Sequence, residues 1–181
     1  MSSSKEKVGY VNGKRRRYRV DVLVFDEAGH ILASSNDKNK LRKISLPGGG
    51  IDEGESVIQA AAREMAEESG WVADTLVHLR MNVPLVYHAD INRVDWFSRA
   101  GWSEEESFIV VGKDAEFRPT SAYGSEGDGA IFEMLPIQDV INSTKDEANK
   151  HPCPRARCLA EFRLIALNYI AEKILPTYKK K

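Results

Sequence analysis

Cysteine is scarce in this chain: only Cys153 and Cys158 occur, both within HPCPRARC. Two thiols exclude the dense disulfide framework of small secreted domains. With His151 they supply three zinc-binding side chains where a structural zinc site uses four, so reduced thiols are expected rather than a metal knuckle. Charge of one sign is lacking too. With 26 Lys and Arg against 27 Asp and Glu, the formal charge of −1 gives no global attraction to nucleic acid or to an anionic membrane. No apolar run is long enough to span a bilayer, and no hydrophobic segment follows Met1-Ser2-Ser3-Ser4, so a cytoplasmic protein is expected. Internal repeats and long low-complexity tracts are missing, which removes solenoids and fibrous architectures.

What is present is enough for one compact core. The 181 residues are 42% hydrophobic and 29% charged, which fits a single domain over 1–181. Tyr18 to Phe25 is Val-rich and reads as a strand, Asp26-Glu27-Ala28-Gly29 as a turn, and His30 to Ser34 as the returning strand of a hairpin. Further strands are predicted within Val72 to Tyr87, over Ser107 to Val111 and over Ala130 to Leu135, with a short helix around Pro136 to Asn142. A terminal helix over 156–174 is predicted from Leu159, Phe162, Ile165, Ala166, Tyr169, Ile170 and Lys173, which recur at helical spacing, with Cys158 near its start. The basic run Lys14-Arg15-Arg16-Arg17 and the tail Lys179-Lys180-Lys181 read as a solvated hairpin and a frayed end, or as local contacts to phosphate.

The most informative stretch is LPGGGIDEGESVIQAAAREMAEESGW. Glu55 to Ser69 contains strong helix formers and no internal Gly or Pro, so it is predicted to be a helix, closed by Gly70 in a left-handed cap. Ile58, Ala62, Met65 and Ser69 form a narrow stripe for packing on a sheet. Glu64, Glu67 and Glu68 stand at i, i+3 and i+4, so three carboxylates crowd one turn. Such crowding calls for counter-charge, and Arg63 alone is too little for three. Bound Mg²⁺ or Mn²⁺ fits, because hard cations take a few carboxylates together with water and phosphate oxygens. Upstream, Leu46-Pro47-Gly48-Gly49-Gly50 brings unobstructed backbone to the helix start.

The succession Gly49, five residues, Glu55, seven residues, Arg63-Glu64, Met65, one residue, Glu67-Glu68, one residue, Gly70, Trp71 resembles a complete Nudix box. Its seven specified identities, each roughly one in fifteen by average usage, have a chance probability on the order of 10⁻⁸ per start position. Trp71 stands where the family usually has a smaller aliphatic residue. The resemblance implies an α/β fold, an α/β/α sandwich with a mixed β-sheet between helices. It implies a hydrolase that cleaves the diphosphate linkage of nucleoside diphosphate derivatives, among them nucleoside triphosphates, nucleotide sugars and dinucleoside polyphosphates. By the same resemblance Glu64, Glu67 and Glu68 hold the metal with the Gly48 carbonyl, Arg63 orients these carboxylates, and Glu55 supports the loop. Glu126, in YGSEGDGAIFEML, resembles the later-loop glutamate that serves as ligand or base; Asp128 and Glu133 are its neighbours and rivals, and a solvated acidic turn is the plainer reading. Glu68, Glu64 and Glu126 all stand as candidates for the base.

The segment 88–106 fits the layout least and reads as a substrate-selecting insertion. Tyr87, Trp96, Phe97 and Trp102 offer faces for a base, and Arg93 or Arg99 offers a fork for a distal phosphate. The same aromatics also suit a satellite core or a homodimer interface. Tyr87, sixteen residues past Trp71, matches the spacing of dinucleoside polyphosphate enzymes better than Pro84 matches that of ADP-ribose enzymes. Two further functions stay open: an RNA 5′-end or cap-processing hydrolase, motivated by the basic run and making nucleic acid a less favoured partner, and a nucleotide-binding regulatory module without turnover.

Overall fold

The computed structural model describes residues 8–11, 14–35, 44–80, 85–88, 104–124 and 130–178. Among them lie eight strands: β1 (Val8–Val11), β2 (Lys14–Phe25), β3 (His30–Ser34), β4 (Gly48–Gly50), β5 (Trp71–Leu79), β6 (Leu85–His88), β7 (Glu104–Phe117) and β8 (Phe132–Pro136). The helices are α1 (Val57–Ser69), α2 (Ile137–Lys150) and α3 (Pro154–Tyr169), which continues through a π-helical turn (Ile170–Ile174) into a last turn (Leu175–Tyr178).

The strands form one mixed sheet of order β5-β7-β2-β3-β8, with β1 and β4 paired to β2 and β6 to β7. Among the described residues only β2 and β7 run parallel. Central β2 is buried on both faces, which is why its apolar residues run nearly continuously. Val20, Val22 and Val24 pack with Ala60, Ala61 and Met65 of α1. On the opposite face Leu23 and Phe25 pack with Val140 of α2 and Phe162, Ala166 and Leu167 of α3. Helices therefore cover both faces, as the α/β sandwich requires. Among the described residues no helix is long and apolar enough to cross a membrane.

Several elements differ from their expected form. α1 begins at Val57 because Ser56 caps it: its hydroxyl accepts from the Gln59 amide at 3.1 Å, while Gln59 Oε1 accepts from the Ser56 amide at 2.8 Å. Met65 and Ser69 of the expected stripe are buried and Ile58 packs beside them, while Ala60 and Ala61 are buried and Ala62 is exposed. The two alanines let helix and sheet approach closely. Ser56→Ala is expected to lower stability by about 1 kcal/mol in chemical denaturation, the usual effect of losing an N-cap.

The predicted short helix after β8 extends to Lys150, where Pro152 follows and prevents continuation. Pro154 then opens α3, with Cys153 at its N-cap, so Cys158 lies inside the helix rather than at its start; both thiols are free. Ile165 and Tyr169, expected on the buried face, are 60% and 47% exposed, and Ala160, Arg163 and Leu167 are buried instead. The π turn precedes Pro176, which has no N–H for the Glu172 carbonyl and whose ring would crowd it, so a widened turn relieves both problems.

Arg16 and Arg17 of the basic run are not solvated. Strand β2 starts at Lys14, and parallel pairing sets Arg16 and Arg17 beside Glu104 and Glu105. Arg16 bonds Glu104 at 2.8 Å and Glu106 at 2.9 Å, and Arg17 bonds Glu105 at 2.9 Å. The three glutamates counted above with the insertion are thus the first residues of β7.

Candidate functional site

The site grows from the junction of β4 and α1. Gly48, Gly49 and Gly50 pair antiparallel with Asp21, Val20 and Arg19, which lays the glycine backbone against the centre of the sheet. Val22 donates its amide to the Pro47 carbonyl at 2.9 Å and fixes the approach to this strand. Gly49 is required by contact: a Cβ there would lie within 2.6 Å of Glu64 Oε1 and overlap the rest of that carboxylate. The loop and the helix therefore share one close-packed seam. At the other end of the helix Gly70 takes φ +71°, and its amide donates to the Ala66 carbonyl.

Arg63 organises this seam. Its Nε and Nη2 donate to the two Glu55 oxygens at 2.8 and 3.0 Å, Nη1 donates to Glu64 at 2.8 Å and Glu67 at 3.1 Å, and Nη2 also reaches the Gly50 carbonyl at 2.9 Å. One guanidinium thus clamps three carboxylates and the loop. The Arg63 hydrogen bonds hold Glu55 below its usual carboxylate range, and Glu55 in turn raises Arg63.

Glu68 is treated differently. It accepts the Gly48 amide at 2.9 Å and lies outside the Arg63 clamp. Burial, reinforced by Glu64, lifts its carboxyl to about 7 although the Gly48 amide and Arg19 oppose the rise. The proton is therefore bound more tightly in the folded state than in an unfolded chain. Stability from this group is full below the ordinary carboxylate range and is lost as pH rises towards about 7. We expect the melting temperature of EDTA-treated protein to fall across that window and to be restored at pH 8 by Mg²⁺, read by thermal melts with and without the ion.

The donors suit a hard divalent ion. Carboxylate and backbone oxygens predominate, one carboxylate is costly to ionise without a partner, and glycines keep side chains out of the space between loop and helix. Among the described residues no three His, Cys, Asp or Glu side chains are grouped as a ready-made metal cage. Magnesium does not need one, since it keeps waters and takes substrate phosphates.

Of the other residues singled out in sequence, Glu133 is exposed on β8 opposite Ala33 and takes no part in the seam. Tyr87 belongs to β6 by backbone, paired with Glu105. Pro84, Arg93, Trp96, Phe97, Arg99, Trp102, Glu126 and Asp128 lie outside the described residues. The loop that leads towards Glu126 is nonetheless tied to α1: Arg118 donates to the Gly70 carbonyl and Gly124 to the Glu67 carbonyl, both at 2.9 Å.

Sequence reasoning missed a second charged constellation behind the glycine strand. Asp21, fully buried, accepts both Arg163 donors at 2.9 and 3.0 Å and Arg19 at 2.7 Å. Glu105, also fully buried, accepts two bonds from Arg155 at 2.9 Å and one from Arg17. The available signal was charge inside a strand pattern: Arg19 and Asp21 alternate with valines, and Arg155 and Arg163 fall among the apolar residues of the last long helix.

A family model described as NUDIX domain matches residues 15–156, well over half of the chain. An RNA pyrophosphohydrolase of Erythrobacter litoralis (strain HTCC2594) is 33% identical over 108 residues, which is 55% of this chain and 66% of that protein. The chain therefore spans just under two thirds of that relative's length. Among solved structures, an ADP compounds hydrolase aligns with TM-score 0.53 at 19% identity, covering 96% of this chain and 98% of its own. A MutT protein from Bacillus halodurans aligns with TM-score 0.51 at 17% identity, covering 70% and 72%. At these identities the two structures speak for the fold.

Proposed function

The chain belongs to the Nudix family, and from that premise we propose that it hydrolyses the diphosphate linkage of a nucleoside diphosphate derivative with Mg²⁺ or Mn²⁺. The observation that carries this reading is the seam in which Arg63 clamps Glu55, Glu64 and Glu67 against the glycine strand while Glu68 stays apart. A fold used only for recognition has no need to concentrate acidic groups there.

Glu64, Glu67 and Glu68 would hold the metal with the Gly48 carbonyl, and the bound ion would neutralise charge on the phosphate oxygens. The protein's own contribution is placement. Arg63 fixes two of the three carboxylates in one orientation, and the Gly48 amide fixes the third, so the groups are preorganised before substrate arrives. A carboxylate takes the proton of the attacking water, with Glu64, Glu68 and Glu126 as the candidates. Glu64 is buried and bonded to Arg63, which makes it a poorer acceptor than Glu68, outside the Arg63 clamp. The pH–rate profiles of the three Gln variants identify the base as the one whose replacement flattens the acid limb.

A second reading has one observation in its favour, the likeness to an RNA pyrophosphohydrolase. The basic run that motivated RNA binding is partly committed elsewhere, because Arg16 and Arg17 serve Glu104 to Glu106. The deciding experiment is product release from nucleoside triphosphates, oxidised nucleotides, ADP-ribose, nucleotide sugars, dinucleoside polyphosphates, and triphosphorylated and capped RNA, with Mg²⁺ or Mn²⁺. Turnover of one small nucleotide class supports the first reading. Turnover confined to RNA ends supports the second, and binding without turnover across the panel assigns a regulatory module.

A further inference from the structure

Strand β5 ends the sheet beside β7, and among the described residues no strand pairs with its outer edge. An open edge offers a row of backbone donors and acceptors to any further strand, and folded proteins blunt such edges with charge, proline or a bulge. The opposite edge of this sheet follows that rule. There β8 is five residues long, carries the exposed Glu133 and ends on Pro136. Strand β5 is less guarded. Its stretch 75–79 pairs without interruption with 109–113 and reads TLVHL, with no ion, proline or glycine in it.

The surface beside this edge is apolar. Val77, in the middle of the stretch, is 57% exposed, and on α3 the exposed Ile165 and Tyr169 stand one turn apart on one side of the helix. Between strand and helix runs a groove of about 310 Å³, lined by Phe25, Val77, Val111, Tyr169 and Ile174. Apolar surface next to an unpaired edge marks a place of association.

A second copy of the chain fits this place only if the edge is complementary to itself, because a two-fold axis sets residues at equal distances from it opposite one another. An axis at Val77 meets that condition. Thr75 then lies opposite Leu79 of the second copy and Leu76 opposite His78, so the stretch meets itself without a charge. Asp74 and Arg80 flank it, each three residues from Val77, and both are exposed. Neither has an ion-pair partner among the described residues. Antiparallel pairing about Val77 brings the carboxylate of each copy beside the guanidinium of the other, twice per dimer. A slide of two residues would set Arg80 opposite Val72 or Leu76 and lose both ion pairs. At the axis the two Val77 side chains stand about 5 Å apart and extend the apolar wall of the groove.

We propose that β5 pairs antiparallel with β5 of a second copy of this chain about a two-fold axis at Val77, joining two sheets into one and covering the groove beside Tyr169.

The test is the mass in solution, read by light scattering and sedimentation across protein concentration. The wild type is expected to approach twice the monomer mass as concentration rises. Val77→Lys sets two ammonium groups against each other at the axis and is expected to leave a monomer with unchanged circular dichroism. Asp74→Arg and Arg80→Asp each turn two attractions into two repulsions and are expected to weaken association about tenfold or more. An equal mixture of these two variants places opposite charges together again at both ends and is expected to associate as the wild type does. All three positions are exposed, so each variant is expected to fold. A wild type that stays monomeric overturns the proposal and leaves the edge to a strand of another protein. A dimer that survives Val77→Lys overturns it as well, as do charge variants that mixing fails to restore.

Discussion

Glu68→Gln is expected to remove most turnover, by about 10²- to 10³-fold in kcat, while leaving the metal-free protein at least as stable as the wild type at pH 8. The two halves of this result have one cause. Folding lifts the Glu68 carboxyl to about 7, so at pH 8 the wild type holds an ionised group in surroundings that favour the neutral one. Glutamine reproduces the neutral form, keeps an oxygen for the Gly48 amide, and sheds the repulsion from Glu64. On the proposed hydrolase reading, the metal and the reaction would lose a full negative charge. Glu67→Gln is expected to lower kcat similarly, but without the gain in stability, because it weakens a 3.1 Å ion pair to Arg63. Steady-state kinetics with thermal melts in EDTA and in Mg²⁺ check both variants. Wild-type rates in the two together would remove these glutamates from the reaction.

The largest loss of stability is expected from Asp21→Ala. Asp21 is fully buried and joins α3 to the central strand through Arg163 and Arg19. Its removal strands two guanidinium groups in the interior, a change that costs about 3–5 kcal/mol. Asp21→Ala combined with Arg163→Met should cost less than the sum of the single changes, because the second removes a charge that the first has orphaned. The neighbouring arginines hold the Asp21 carboxyl far below its ordinary value, even against burial. With a folded value lower than the unfolded one, its contribution is complete at neutral pH and is lost only as pH falls below the ordinary carboxylate range. Urea denaturation at pH 7 and at pH 3 measures both the size and the direction.

Much of the site was legible because its chemistry is local. Glu55, Arg63, Glu64, Glu67, Glu68 and the glycines lie within one loop and one helix, and helical spacing alone puts Glu64, Glu67 and Glu68 within about one turn of each other. The division of labour among them was not legible. That Arg63 takes Glu64 and Glu67 and leaves Glu68 to a backbone amide depends on how β4 lies across the helix. Strand β3 was readable from its turn and alternation, and Gly70 from its place after the last helical residue. The lengths of β2 and β7 were not, because their first residues are charged and look like loop until each is seen to neutralise the other. The apolar stripe of α1 was legible at Ile58, Met65 and Ser69, but Ala62 faces out and Ala60 and Ala61 lie against the sheet instead. The buried arginines of α3, Arg155 and Arg163, find their partners 50 and 142 residues away, and helical periodicity carries no information about such partners.

The ladder of Arg16 and Arg17 against Glu104, Glu105 and Glu106 has a kinetic meaning as well as a static one. It joins segments 88 residues apart in the only parallel pairing among the described strands, the kind of contact that forms late because so much chain must first be closed. A slide of one residue along β7 would turn every side chain to the wrong face. It would also break the match between the two charged runs, so the ladder works as an address label read during the search for register. Added salt should blur that label, slowing refolding more than it weakens the finished fold.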